Sequence, residues 1–431
     1  MSGAYVIGGG LAGCEAAWAL ANAGIKAVLY EQKPHTRSAA HTSDSLGELV
    51  CSNSLKAMRI ESAAGLLKEE MKRLGSLIME AAEHSRVSAG GALAVDRTLF
   101  SGYITNAIES HPNIEVKHQE AAEIFPGKGI IATGPLTSDA FAKVIERITG
   151  KEYLSFYDAA SPIVSFESID RDKVFFAARY DRGDSDYINC PLNEEEYERF
   201  YKALVEAETV ALKSFETLKV YEGCMPVEVL AKRGYDALRY GPMKPVGLTD
   251  PKTGRWPFAV VQLRQENSKG SMYNLVGFQT NLKFPEQKRV FSMIPGLENA
   301  EFLRFGVMHR NTFINSPALL DEAGRLKSNP DIYFAGQITG VEGYIESAVS
   351  GIMAGINLAR EINGKPFLIL PKETMTGALL NYASSCQSED FQPMGCNMGL
   401  LPPLDRPVRP KAKKYEMLAA RALDALDEAL K

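Results

Sequence analysis

Two cysteines stand where a thiol could do chemistry. Cys51 lies in "GELVCSNSLK" and Cys224 in "YEGCMPVEVLAKRG", each in a polar, turn-like setting. The six cysteines (Cys14, Cys51, Cys190, Cys224, Cys386, Cys396) are scattered and include no C-x-x-C pair, which argues against zinc or a redox dithiol. No metal site is expected. A disulfide reductase needs two thiols placed to pair, and Cys51 has no neighbour in sequence. A separate reactive thiol suits covalent addition or proton transfer, because a thiolate is nucleophilic near neutral pH and leaves readily. Cys14, on an Ala-rich helix, reads instead as a small core residue.

The element nearest Cys51 in the chain is a nucleotide site. "AYVI" is a short apolar strand, followed by "GGGLAG" and an Ala-rich helix over 12–23 that ends at Gly24. "KAVLYE" is a second strand, so the chain opens on a parallel βαβ unit. Gly8, Gly10 and Gly13 have the spacing G-x-G-x-x-G. The first allows a tight turn, the second lets a pyrophosphate approach, and the third lets helix and strand pack closely. Gly9, Leu11 and Ala12 complete a turn whose helix N-terminus faces phosphate charge. Glu31, 23 residues after Gly8, ends the second strand, where a carboxylate can accept from a ribose hydroxyl. No second such glycine motif occurs mid-chain. "IIATG" and "IYFAGQITG", with Gly336 and Gln337, each end a strand in a small-residue turn of the sort that passes a flavin. Bound FAD is therefore expected, with NAD(P)H visiting only transiently.

The 431 residues allow two or three domains. Helices are expected at 62–84, 97–110, 194–211 and 345–363, and strands at 129–134, 258–265 and 273–280. The texture changes from about 150 to 300. The pattern predicts an α/β fold: a Rossmann-like FAD-binding domain from 1–150 and 301–431, the latter with a C-terminal helix, and an inserted α+β domain over 151–300. A composition of 45% apolar and 23% charged residues is that of a globular protein, with no apolar run long enough for a membrane span. The apolar start has no basic region before it and carries the glycine motif, so it reads as fold rather than signal, and the protein as cytoplasmic. The net charge of −5 is unevenly spread. Lys219–Arg289 holds twelve Lys and Arg against six Asp and Glu, while Glu167–Glu208 holds the reverse. With the basic run "RPVRPKAKK", that leaves room for a phosphate-binding face on an acidic protein.

Taken together, "GGGLAG", "LVCSNSLK", "EGCMPVEVLAKRG", "YGPMKPVGL", "VVQLRQEN", "NLVGFQTNL", "GVMHRNTFINSP" and "FAGQITGVEGYIESAVSG" resemble the folate- and FAD-dependent tRNA (uracil-5-)-methyltransferase family, in order from residue 4 to about 404. The resemblance implies that methylenetetrahydrofolate supplies a carbon, reduced FAD a hydride, and the T-loop uridine at tRNA position 54 accepts them. It implies Cys224 and Cys51 as the catalytic pair. Uracil C5 becomes a nucleophile only after a group adds to C6, and a thiolate is suited to that addition. Cys224, in the basic segment, is assigned to C6 and Cys51 to proton transfer, with the exchange of roles left open. His309, Arg310 and Tyr344 are candidates to bind folate or orient the flavin. Lys56 and Arg264 could meet glutamate tails or RNA phosphates. The family pattern requires neither Cys386 nor Cys396. The alternatives are the same chemistry on ribosomal RNA, an RNA-binding flavoprotein with idle thiols, and a plain flavin oxidoreductase.

Overall fold

The computed structural model describes residues 3–38, 40–150, 154–181, 186–210, 225–387 and 391–431. The chain opens on strand β1 (Gly3–Ile7), helix α1 (Leu11–Asn22) and strand β2 (Lys26–Glu31), with β1 and β2 parallel from Gly3↔Lys26 to Ile7↔Tyr30. The sheet they begin has six strands, in the order Arg325–Leu326, Asn329–Phe334, Gly129–Ile131, β1, β2, Ile114–His118. All neighbours are parallel except the hairpin formed by the first two. Residues from both ends of the chain therefore share one sheet. Parallel strands need covered faces, and α1 and the Tyr344–Ile362 helix pack together beside this one. Their backbones nearly touch: a Cβ on Gly351 would stand 2.1 Å from Ala12 O, and one on Gly355 2.6 Å from Ala16 O.

Between those segments lies a second sheet, antiparallel throughout: Phe175–Phe176, Tyr187–Leu192, Ala259–Gln265, Met272–Leu275, Ile163–Ser165, Phe302–Arg304. It packs its own core, including Tyr197 and Phe200 of the Glu194–Glu206 helix together with Phe278 and Phe291.

Four elements differ from the sequence expectation, the first being the strand expected at 129–134, which stops at Ile131 before the turn at Gly134, φ +68°. The helix expected at 62–84 is two, Ala63–Arg73 and Leu77–His84. Gly75 turns into the left-handed region at φ +77°, and Ser76 then caps the second helix by accepting from Met79 N. Buried Glu15 reaches across from α1 to accept from Leu77 N and Ile78 N at 3.1 and 3.0 Å. The strand at 273–280 stops at Leu275, before Gly277 at φ +77°. The acidic helix ends at Glu206 rather than 211.

Candidate active site

The glycine turn between β1 and α1 is shaped by what a side chain would strike. Gly8 has φ +107°, and a Cβ there would lie 2.5 Å from Ala132 O. A Cβ on Gly13 would lie 1.7 Å from Gly8 O, so only glycine lets the helix meet the strand. Gly10 is the opposite case: its Cβ would meet no heavy atom within 4 Å. Gly10 also opens α1 with no side-chain cap, which leaves first-turn N–H groups for an anion. Glu31 is 6% exposed and accepts from Gly9 N at 2.8 Å and Lys33 N at 2.9 Å. One acceptor site on each of its oxygens is thereby used, and each keeps capacity for a hydroxyl.

These residues line a cleft of about 990 Å³. It runs from Gly8–Ala12 and Glu31 past Ala132–Pro135 to Gly336, Gln337, Tyr344, Ser347 and Val50. Both small-residue strand ends thus meet one space, and that space reaches the residue before Cys51. Gly336 N donates to Ser350 Oγ at 2.6 Å, and Gln337 Nε2 to Glu342 Oε2 at 2.7 Å.

Cys51 is half-buried and carries no disulfide. Tyr344 Oη accepts from Cys51 N at 2.7 Å and Ser52 N at 3.2 Å. Arg97 donates to Leu49 O at 2.6 Å and Cys51 O at 2.8 Å, and Arg304 to Val50 O at 2.6 Å. Arg264 donates to Ser52 Oγ at 2.8 Å and Asn53 Oδ1 at 3.1 Å. Tyr344 therefore contacts the thiol's own backbone, beyond the folate or flavin contact considered from sequence. Arg264 is likewise committed to the residues beside Cys51.

Lys56, at φ +66°, pairs with buried Glu346 at 2.6 Å. Burial opposes its protonation, but the Glu346 carboxylate overrides this and holds Lys56 above the usual lysine range. Glu346 Oε1 also accepts from Cys396 N at 3.0 Å. Burial, then the Glu346 charge, push the Cys396 thiol up, as burial does for Cys14 and Cys190. Cys224 lies outside the described residues. His309 and Arg310 sit on the Met308–Phe313 strand, paired antiparallel with Leu154–Ala159, and their side chains lie outside the described residues. Among the described residues, no three His, Cys, Asp or Glu side chains group to hold a metal, and no helix is long and apolar enough to cross a membrane. Arg97, Arg304 and Glu266 were not singled out from the sequence. Glu266 and Arg264 share the stretch "VVQLRQEN", and that juxtaposition was the available signal.

The family model described as "Glucose inhibited division protein A" matches residues 4–366. A methylenetetrahydrofolate--tRNA-(uracil-5-)-methyltransferase TrmFO of Acetivibrio thermocellus is 58% identical over 425 residues, covering 98% of this chain and 97% of the relative. The protein of the same name from Listeria monocytogenes is 56% identical over 421 residues, with coverages of 98% and 97%. The solved structure of Aquifex aeolicus GidA, form I crystal, superposes with a TM-score of 0.72 at 17% identity, covering 100% of this chain and 76% of that one.

Proposed function

We infer that this chain, which belongs to the methylenetetrahydrofolate–tRNA-(uracil-5-)-methyltransferase family, is a folate- and FAD-dependent tRNA (uracil-5-)-methyltransferase. The observation that carries this is identity of 58% over nearly the whole of both chains. The finer assignments are proposals: uridine 54 of the T-loop as acceptor, NAD(P)H as reductant, the cytoplasm as location, and the 151–300 segment as the RNA-facing domain.

The cleft fits FAD. Gly10 leaves room for a pyrophosphate, the first turn of α1 is uncapped, and Glu31 stands where a ribose hydroxyl would meet it. Gly8, Gly9, Gly10, Leu11, Ala12 and Gly13 would hold the phosphates, and Gly336 and Gln337 the flavin end. When bound and reduced, FAD supplies the hydride that completes the methyl group.

The remaining work belongs to the chain. Cys224 adds to uracil C6, which makes C5 nucleophilic toward the folate carbon. Once the carbon is on C5, a base removes the C5 proton, and Cys51 is assigned that role. Tyr344 and the arginines hold the Cys51 backbone so that this transfer occurs over a short, set distance. His309 and Arg310 are proposed to contact folate or flavin.

The test is mass mapping of 5-methyluridine in tRNA and ribosomal RNA from cells with and without the gene. Loss from tRNA position 54 alone is expected. Loss confined to ribosomal RNA would move the acceptor, and no loss from either would overturn the reading.

A further inference from the structure

The antiparallel sheet extends well beyond the Cys51 segment that it touches. Alternate residues of a strand share a face, so Val260, Gln262 and Arg264 of the Ala259–Gln265 strand point the same way. On that face Arg264 holds Ser52 and Asn53. Gln262 accepts there from Arg179 at 2.9 Å, and Val260 packs with Leu248. At about 3.4 Å per residue, Val260 stands roughly 14 Å along the strand from Arg264. Stacked nucleotides of one strand also advance about 3.4 Å each, so about four of them cover that distance.

Two loops are tied together at that far end. Arg179 donates to Lys244 O at 2.9 Å and to Val246 O, and Tyr180 N donates to Gly247 O at 2.8 Å. Tyr180 is held at φ +62°, a costly conformation for a side chain of its size. Its ring lies against Gly247, where a Cβ would stand 2.7 Å from it. The chain then returns through the Asp250–Arg255 bridge to Trp256. Two residues on, the Phe258 ring takes the Arg239 guanidinium at 3.7 Å, next to Tyr240.

The surface so formed is cationic and aromatic together. From Ala237 to Phe258 the chain carries Arg239, Lys244, Lys252 and Arg255 against one carboxylate, Asp250, which is 8% exposed. Arg239 is paired with Asp236 at 2.6 Å, while Lys252 and Arg255 lie exposed on the turn. Six Phe, Tyr and Trp side chains are exposed among the described residues, and three of them stand here. These are Tyr180, Tyr240 and Trp256, the last two 83% and 59% exposed. The acidic Glu194–Glu206 helix bounds the patch, since Tyr235 packs on its Tyr197 and Tyr201 at 5.1 Å.

Single exposed apolar side chains need no explanation, but aromatic rings interleaved with cations suit one class of ligand. Rings stack on bases and cations neutralise phosphates, and only unpaired bases leave a face open for stacking. We propose that Tyr240 and Trp256, with Tyr180, Lys252 and Arg255 beside them, hold unpaired nucleotides of the RNA whose uridine reaches Cys51. The patch is a second point of contact, displaced along the sheet from the reacting base and made by stacking as well as charge. This rests on the reading of the chain as a tRNA-modifying enzyme, and it names the side chains and the form of RNA that the inserted domain takes.

The chain has two tryptophans, Trp256 and the half-buried Trp18, so tryptophan emission reports on the patch. Flavin-loaded protein titrated with an unmodified tRNA transcript should lose part of that emission. Trp256→Phe, which keeps a ring, should abolish the quench and bind nearly as tightly as wild type. Trp256→Ala and Tyr240→Ala should each bind about 5- to 150-fold more weakly, the change expected from losing one base stack. Their slopes of log affinity against log salt should stay at the wild-type value, because no phosphate contact is removed. Flavin content and melting temperature, unchanged at these exposed positions, confirm that the variants fold. A single-stranded oligoribonucleotide should compete with tRNA for the quench more strongly than a fully paired duplex; equal competition overturns the assignment to unpaired bases. Alanine variants that bind like wild type, with no quench in a wild type that methylates tRNA, overturn the proposal and leave the proposed function standing. A wild type that binds no tRNA overturns both. Self-association of the wild type that Trp256→Ala abolishes would assign the patch to a second copy of the chain instead.

Discussion

Gly10→Ala separates the cofactor from the fold more cleanly than any other change in the glycine turn. Gly10 has φ −77° and ψ −171°, extended backbone open to any residue, and its Cβ would meet nothing within 4 Å. Two small effects on the protein without flavin oppose each other. Alanine restricts the unfolded chain, worth about 0.4–1 kcal/mol of added stability. It is also a poorer helix N-cap than glycine, which costs a similar amount. The flavin-free variant should therefore unfold within a few degrees of wild type. With FAD the balance changes, because the methyl group occupies space the pyrophosphate must enter. Overpacking of this kind costs roughly 1–3 kcal/mol, which weakens binding by about 5- to 150-fold. A hundredfold loss would remove about 2.7 kcal/mol of ligand-induced stabilisation at saturating flavin. Thermal unfolding with and without FAD, plus flavin content per chain, reads both quantities. Gly13→Ala is the contrast: its Cβ would stand 1.7 Å from Gly8 O, so the flavin-free protein itself should be destabilised. A Gly10→Ala protein with wild-type flavin affinity, or one that unfolds early without flavin, would refute this placement of the cofactor.

Burial raises Glu15 to about 7 against the opposing pull of Ser76, Ile78 and Leu77. The folded chain thus holds a proton that the unfolded chain releases near 4.5: this contribution is complete below pH 4.5 and lost as pH rises through 7, by roughly 3 kcal/mol in all. Urea midpoints of Glu15→Gln should lack that decline, and an unchanged slope from pH 4.5 to 7 would count against it. Tyr344→Phe leaves the N–H groups of Cys51 and Ser52 without their acceptor, at about 1–3 kcal/mol each; single-turnover methyl transfer should slow with flavin content unchanged, and an unaltered rate would remove Tyr344 from positioning. With 5-fluorouracil-substituted tRNA, Cys51→Ala should still give a covalent adduct on denaturing gels and Cys224→Ala should give none; the opposite pattern exchanges their roles. Reversing Lys252 and Arg255, both exposed on the turn closed by the Asp250–Arg255 bridge, should reduce the slope of log RNA affinity against log salt by about 0.9 for each phosphate no longer neutralised, and an unchanged slope would place the RNA elsewhere.

What the sequence disclosed and what it withheld divide along a physical line. The phosphate turn was legible because each of its requirements is local. A left-handed φ at Gly8 and a missing Cβ at Gly13 are satisfied within a few residues, so spacing alone records them. The break at Gly75 was equally local, but it was hidden inside a plausible helical pattern. Its stabilising partner, Glu15, lies 62 residues away from the Leu77 amide it accepts.

The setting of Cys51 is the other kind of feature. Its contacts come from Arg97, Arg304 and Tyr344, the first hydrogen-bonding at a separation of 46 residues, the second at 254 and the third at 293. Each of those residues reads alone as ordinary. Arg97 begins a helix, Arg304 sits in a short strand, and Tyr344 opens a helix after a glycine. The arrangement lies in their sum: among the described residues, Arg97 and Arg304, with Arg264, hold the segment around Cys51, and Glu266 pairs with Arg97. Such a sum has no expression in the sequence, because charge balance is defined only once the elements are assembled and water is removed. A net charge of −5 over the chain is therefore compatible with a locally cationic thiol site. The same reasoning explains why Lys56 and Arg264, alike as candidates from sequence, part company in the structure. Lys56 meets buried Glu346 and is neutralised, whereas Arg264, among the described residues, donates to Ser52 Oγ and Asn53 Oδ1 and holds the segment beside Cys51.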